Sequence, residues 1–387
     1  MSKVLFEITE DNLETGMRGY PVGYCPTSFV DAEKGLFYCD RTIAECASWN
    51  PKKVIHLLYH GKEGGDEEVG RFYQELTDRA VCHPEVIAHI EKLPREGHPM
   101  KLFAAALLIL GMYEKTGDYR EDCLRVIAKL PHLVAACINH HAGWGKTPAP
   151  DLSMGYMTAF THMVNLPGQK GNGLEEAFRL FNILHYDHGG GNLSTFVGKA
   201  VASGLEDLFG SLSAAMCALA GPRHGSANQV TLEFVQQALD EVGEKATEAD
   251  VEKLIRSRLA NKQLLFGFGH AVLRVEDPRA TVQYDFVTKN YPDHPLVKIA
   301  LLLRAAGPKV LLENPKITNP YPNVDAISGS LLTAAGFGYP EYFTLLFGLS
   351  RSLGIAIQTV YERMEARAGK GTPIVRPKYL YRPRLSQ

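Results

Sequence analysis

The stretch from Gly267 to Arg279, GFGHAVLRVEDPR, sets His270 behind Gly267 and Gly269 and ahead of Arg274 and Arg279. Histidine exchanges or donates a proton near neutral pH, whereas arginine offers a planar, permanently charged fork for carboxylate or phosphate. The pattern suggests proton chemistry beside an anion, and its plain alternative is a loop with solvated arginines. Asp277-Pro278 reads as a helix start that would satisfy Asp277 and expose Arg279.

Three further places carry residue types that a core alone would not select. In LHYDHGGGNLS, His185 and His188 stand at i and i+3 before three glycines and Asn192. A metal would need a third ligand, which no recognised spacing supplies, so no metal is expected. The competing readings are a helix end with Gly189 as its left-handed cap, or a histidine that donates to a bound anion. In ALAGPRHGSANQ, His224 follows a helix stop at Gly221-Pro222. In NPYPNVDAISGSLL, Asp325 is either an ordinary helix N-cap or a carboxylate held among apolar neighbours, which would raise its basicity. Arg351, inside LLFGLSRSLGIAIQ, needs a partner if that helix is packed on most sides, and a bound carboxylate or a structural acid would serve.

Helices must position these residues. Apolar spacing predicts helical segments over Lys101 to Thr116, Leu174 to Tyr186, Asn192 to Leu219, Ala249 to Leu264, His294 to Ala306 and Tyr342 to Ala368. Thr247 and Asp250 form an acidic variant of the capping box at the start of one of them. Alternating patterns are scarce, with Gly35 to Asp40 the best short strand, so the fold class is mainly α. A chain of 387 residues built this way must stack helices in more than one layer, with its site between helices or between domains.

Composition narrows the partners. With 41 basic against 43 acidic residues the chain lacks the footprint of a nucleic-acid binder, so recognition by charge must be local. Leu102 to Tyr113 is too short to cross a bilayer, and Leu345 to Ile357 is interrupted by Arg351, so no membrane association is expected. The acidic opening MSKVLFEITEDNLETG resembles neither a secretory signal nor a transit peptide, and a cytoplasmic location is the expectation. The seven cysteines form an odd set without a C-x-x-C pair, which reads as reduced structural thiols. HHAGWGKT ends like a phosphate loop but has His140 where the first glycine belongs, and it is discounted.

Taken together, GPRHGSANQ, FGFGHAVLRVEDPRA, NPYPNVDAISG and SRSLG followed by VRPK resemble, in order and spacing, the signature segments of the citrate synthase family, and most the citrate (Si)-synthases. DHGGGNLS, HPM at 98–100, IAKLP at 127–131 and TGMRG near the start add to the likeness, which runs from about Thr15 to Lys378. The resemblance implies a mainly α, multi-helical two-domain fold. Residues 1–225 and 337–387 would form the large domain and 226–336 the small one, in a homodimer that closes over a cleft. It implies condensation of oxaloacetate with acetyl-CoA to citrate and free CoA, with acetyl-CoA as co-substrate and no tightly bound cofactor. Asp325 would then be the base at the acetyl methyl group, His224 the donor to the thioester oxygen, and His270 the donor to the ketone of oxaloacetate. His188, Arg279 and Arg351 match oxaloacetate ligands, and Arg376 matches an arginine contributed by the neighbouring subunit. Arg274 and Arg18 match residues that meet CoA phosphates, and Gly267 and Gly269 would let CoA approach the backbone.

The chain departs from its relatives at Gly189, where they usually carry glutamate. GLFYCDRT lacks the arginine-glycine that commonly follows this early strand, and INHHAGWG offers histidines where relatives often place an arginine. The extra N-terminal domain of NADH-regulated members has no counterpart, so no such regulation is expected. Two other functions remain compatible with these motifs: a 2-methylcitrate synthase that takes propionyl-CoA, and a non-catalytic helical sensor or scaffold.

Overall fold

The computed structural model describes residues 3–168 and 173–384. Near the N-terminus a small antiparallel sheet joins β1 (Ser28–Asp31), β2 (Gly35–Tyr38) and β3 (Arg41–Thr42). Its first hairpin pairs Ser28 with Tyr38 and Asp31 with Gly35. The Asp31 carboxylate accepts the Glu33 and Lys34 amides at 2.9 Å each, a side-chain-stabilised turn that sets this register.

The rest is helical. The first half of the chain forms α1 (Ile43–Ala47), α2 (Pro51–His60), α3 (Asp66–Thr77), α4 (Pro84–Ile90), α5 (Pro99–Glu114), α6 (Tyr119–Ala142), α7 (Tyr156–Met163) and α8 (Leu174–His185). It continues with α9 (Leu193–Ser203), α10 (Leu208–Leu219), α11 (Ala227–Val242), α12 (Glu248–Ala260), α13 (Pro278–Asn290), α14 (Pro295–Leu311), α15 (Asp325–Ala334) and α16 (Phe343–Val360). Local chemistry sets many of the starts. Proline occupies the first turn of α2, α4, α5, α13 and α14, where its missing N–H costs nothing. The Thr247–Asp250 capping box opens α12.

Four expected segments run differently, two of them only at their ends: α12 stops at Ala260 short of Leu264, and α16 gives way after Val360 to a π stretch over Tyr361–Glu365 short of Ala368. Asn192 to Leu219 is not one helix, because the chain turns at Gly204 and Leu205, the latter left-handed at φ 69°. The segment expected to stop at Ala306 continues through Pro308 to Leu311.

The core is organised around α16, in which every residue except Phe347 is buried. It packs against α5, α6, α8, α9 and α10. The 340–365 stretch is long and apolar enough to cross a membrane, but 94% of its most apolar window is covered by the rest of this chain, as befits a central core helix. A second group of helices packs largely on itself, with α11 and α13 against α15, and α12 against α14. The groups meet where α15 touches α8, α11 touches α16, and α13 touches α1 and β2. The histidine and arginine segments lie along this seam.

Candidate active site

Between α8 and α9 the chain leaves helix at Tyr186 and carries His188 across α16. Gly189 is left-handed at φ 71°, but it lies beyond the Tyr186 cap instead of serving as it. The loop is anchored from three sides. Gly354 of α16 donates its N–H to Tyr186 O at 3.2 Å, Ser28 Oγ accepts the Gly189 N–H at 2.7 Å, and Asn192 Nδ2 donates to His188 O at 3.2 Å. His185 turns away into the core, stacked on Phe181 with centroids 4.2 Å apart. The two histidines of this motif therefore do not form a pair, and His188 alone faces the site.

His270 and Asp325 stand on two loops laced together by backbone bonds. Gly269 N–H donates to Tyr321 O at 2.9 Å, Asn323 N–H to Gly267 O at 2.9 Å, and Asn323 Nδ2 to Gly269 O at 3.0 Å. A side chain at Gly267 would lie 2.9 Å from Ala326 Cα and Thr231 Cγ2, at a backbone φ of 81°. The space beside Gly267 is thus filled by the protein, and a close approach of CoA there finds no support. Gly269 is also left-handed, at φ 81°, and its surroundings are more open.

The hydrogen bonds fix the histidine protons. His270 Nδ1 accepts the Val272 and Leu273 amides at 3.0 Å each, which leaves the proton on Nε2. His224 Nε2 accepts the Ser194 amide at 3.2 Å, with the Ser194 hydroxyl 2.9 Å away, which leaves its proton on Nδ1. Burial, reinforced by Arg351, pushes His224 down to about 4; burial and then Arg279 also lower His270. Both rings are neutral donors at physiological pH. His188 lies with its ring centroid 5.4 Å from that of His270, and burial and the two arginines hold it well below the usual histidine range.

Asp325 is not the cap of α15. Val324 occupies that position, Asn323 Oδ1 accepts the Asp325 N–H at 3.0 Å, and the Asp325 carboxylate accepts no hydrogen bond among the described residues. Burial raises it to about 6, and Arg279 opposes the shift only in part. The result is an unusually basic carboxylate.

The two arginines differ. Arg279 was expected to be exposed, but it is 3% exposed because the helix cap at Asp277 also binds its guanidinium, through Nη2 at 2.7 Å and Nε at 3.1 Å. Its Nη2 also donates to His188 Nε2 at 3.3 Å. Burial disfavours both charges, yet their mutual attraction wins, lowering Asp277 and raising Arg279. Arg351 is 2% exposed and has no carboxylate within salt-bridge distance among the described residues. Its Nε donates to His185 O at 3.2 Å and its guanidinium lies 4.7 Å from the Phe347 ring centroid. Burial lowers it to about 10, so it remains a cation at neutral pH, and among the described residues neither Nη group has a hydrogen-bond partner.

His188, His224, His270, Arg279, Arg351 and Asp325 therefore belong to one linked cluster. Arg274 is exposed beside it, with Nη1 on the Val272 and Leu273 carbonyls and its N–H on Ala32 O of the N-terminal hairpin. Arg18 is exposed on the N-terminal segment and, among the described residues, makes no hydrogen bond or ion pair with the cluster. Arg376 is exposed on the C-terminal tail, in a groove shared with Tyr24, Cys25, Gly190 and Lys199. Several partners escaped sequence reading: Ser194, which orients His224; Asn323, which ties the two loops; Phe347, whose ring lies 6.5 Å from that of His224; and Asp187. Only Asp187 left a local trace, as a carboxylate inside the apolar run that ends at His188.

A family model described as citrate synthase, C-terminal domain, matches residues 16–382. The chain is 36% identical to the mitochondrial citrate synthase of Citrus maxima, over 97% of this chain and 83% of that protein. It is 34% identical to mitochondrial citrate synthase 4 of Arabidopsis thaliana, over 97% and 82%. Among solved structures, citrate synthase from Pyrobaculum aerophilum aligns with a TM-score of 0.81 at 26% identity, covering 96% of this chain and 93% of that one. The Thermoplasma acidophilum enzyme, solved as a ternary complex with carboxymethyl coenzyme A and oxaloacetate, aligns with a TM-score of 0.82 at 24% identity, over 96% and 97%. The mainly α fold is that of these structures. With a family match across nearly its whole length and curated relatives above one-third identity, the chain belongs to the citrate synthase family of acyltransferases.

Proposed function

We propose that this chain condenses oxaloacetate with acetyl-CoA and hydrolyses the resulting citryl-CoA to citrate and CoA. The observation that carries the reading is the pair of neutral histidine donors, each fixed by main-chain N–H groups, in one cluster with the raised carboxyl of Asp325. A thioester α-proton is too weakly acidic for a carboxylate alone, so the oxygen must be stabilised as the proton leaves. Asp325 takes that proton, and His224 Nδ1–H donates to the thioester oxygen as the enol forms. The enol carbon then attacks the ketone carbon of oxaloacetate, and His270 Nε2–H donates to the developing alkoxide. One well-placed oxyanion donor is worth about 3 kcal/mol in such a step.

The Nη groups of Arg351, together with Arg279 and His188, supply donors for the carboxylates of oxaloacetate. A homodimer in which Arg376 of the partner subunit completes this set is part of the proposal, as are CoA phosphate contacts from Arg274 and Arg18. So is the division into a large domain of residues 1–225 and 337–387 and a small domain of 226–336, supported by the self-packing of α11 to α15. Closure after oxaloacetate binds would keep water from the thioester until condensation.

The test is CoA release from acetyl-CoA, followed with a thiol reagent, with and without oxaloacetate and with propionyl-CoA in parallel. Oxaloacetate-dependent release, faster with acetyl-CoA, is expected. Faster turnover of propionyl-CoA would move the assignment to 2-methylcitrate synthesis, and no release from folded protein would refute catalysis.

A further inference from the structure

Two buried charges of opposite sign lie beside each other without touching. Arg351 is 2% exposed and Asp187 is fully buried, and neither forms a salt bridge among the described residues. Each is satisfied by neutral groups instead. Asp187 Oδ1 accepts the His188 N–H at 2.9 Å and Gln358 Nε2 at 2.8 Å. Its Oδ2 accepts the Thr27 hydroxyl and the Ser28 hydroxyl, the latter at 2.8 Å. Ser28 also receives the Gly189 N–H, so the carboxylate holds the amides on both sides of the His188 side chain, one directly and one through Ser28. Asp187 lies against α16 one turn from Arg351, since a side chain at Gly354 would sit 2.8 Å from Asp187 Cβ and Cγ, and of the nearby anions it does most to hold the Arg351 proton.

This separation has a chemical use. A direct ion pair would occupy the guanidinium fork, whereas an isolated buried arginine would be very costly. A carboxylate fixed by four neutral donors one layer behind supports the cation and leaves its fork open. Building on the oxaloacetate reading above, we propose that Asp187 is a positioning residue: it is the fixed counter-charge that keeps Arg351 buried, charged and unpaired for a substrate carboxylate, and it sets the loop that presents His188. It does not touch substrate itself.

The test uses Asp187→Asn in the full-length protein, with circular dichroism to establish folding. The KM for oxaloacetate should rise 10- to 100-fold while that for acetyl-CoA stays within about threefold. The kcat at saturating oxaloacetate should change by less than about threefold, so that the loss falls on binding of that one substrate. A merely structural role would not separate the two substrates, or KM from kcat, in this way. Gln358→Met, which keeps the carboxylate and removes one donor, should give a smaller effect of the same kind and provides the readout if Asp187→Asn does not fold. An unchanged oxaloacetate KM, or equal losses for both substrates, would overturn the role of Asp187. A parent protein that releases no CoA would instead sink the reaction assignment, a failure distinct from an active parent with an unaffected variant.

Discussion

Asn323 Oδ1 accepts the Asp325 N–H at 3.0 Å, two residues along the chain, and so performs for α15 the task that the Asp325 carboxylate would otherwise do. The carboxylate is left for chemistry. Asp325→Asn should reduce condensation by 10²- to 10⁴-fold, the usual contribution of a positioned base, while oxaloacetate affinity measured by calorimetry changes little. Turnover within tenfold of the parent would remove Asp325 from the role of base.

The same substitution should raise stability. A carboxyl whose folded value is lifted from 3.8 to about 6 binds protons more tightly in the folded state. Its cost to stability is therefore absent below about pH 4, grows as pH rises to 6, and is complete above that. The shift corresponds to at most about 3 kcal/mol, and partial access to water reduces this to about 1–2 kcal/mol. Asp325→Asn should thus melt a few degrees higher than the parent at pH 7.5, and the gap should close toward pH 4. A lower melting temperature at both pH values would contradict the desolvation account.

The pH dependence of kcat/KM should carry one acid limb, falling tenfold per unit below about pH 6 as Asp325 is protonated. Neither His224 nor His270 should add a limb near 7, since His224 is pushed down to about 4 and His270 is lowered by burial and Arg279. A midpoint at 7 or above in the parent enzyme would mean that a histidine, not Asp325, governs the acid side.

Arg351→Lys keeps a positive charge but replaces the planar fork with a single point of donation. The KM for oxaloacetate should rise at least tenfold, with a much smaller change for acetyl-CoA. Equal effects on the two substrates would argue that Arg351 serves packing against Phe347 and the His185 carbonyl, not recognition.

Gly267→Ala tests the interlock between the His270 and Asp325 loops. The new Cβ would combine a left-handed backbone with contacts of 2.9 Å to Ala326 and Thr231. Strain and overpacking together should cost about 2–4 kcal/mol, read from denaturant unfolding. Turnover should fall even in the folded fraction, because Ala326 adjoins Asp325. A variant with parental stability and kcat would show that the two loops yield independently.

What could be read from the chain order was the set of chemical groups and the helices that carry them. Asp325, His270 and His224 each sit in a short stretch whose turn residues and apolar neighbours mark them locally. Their orientation was not legible, because it depends on groups far away in sequence: Ser194 reaches His224 from 30 residues upstream, and Thr27 binds Asp187 across 160. Arg279 shows the limit most sharply. Asp277-Pro278 does start a helix, but a cap and an ion pair share the same carboxylate, and nothing in DPR alone tells that the guanidinium folds back instead of extending into water. The break at Gly204 and Leu205 was hidden for another reason, since α9 and α10 pack closely on each other and their apolar residues read as one continuous run.

The bonds between Gly267, Gly269, Tyr321 and Asn323 also bear on how such a site can change. Because the base and the ketone donor ride on loops stitched edge to edge, a shift of one drags the other, and their relative geometry is inherited as a unit. Selection for a bulkier acyl group or a different keto acid then acts most freely outside these loops, as at Phe347 of α16, whose ring lies 6.5 Å from that of His224. Directed evolution of this chain should accordingly accumulate specificity changes around Phe347 of α16 and leave the 267–270 and 319–325 loops untouched.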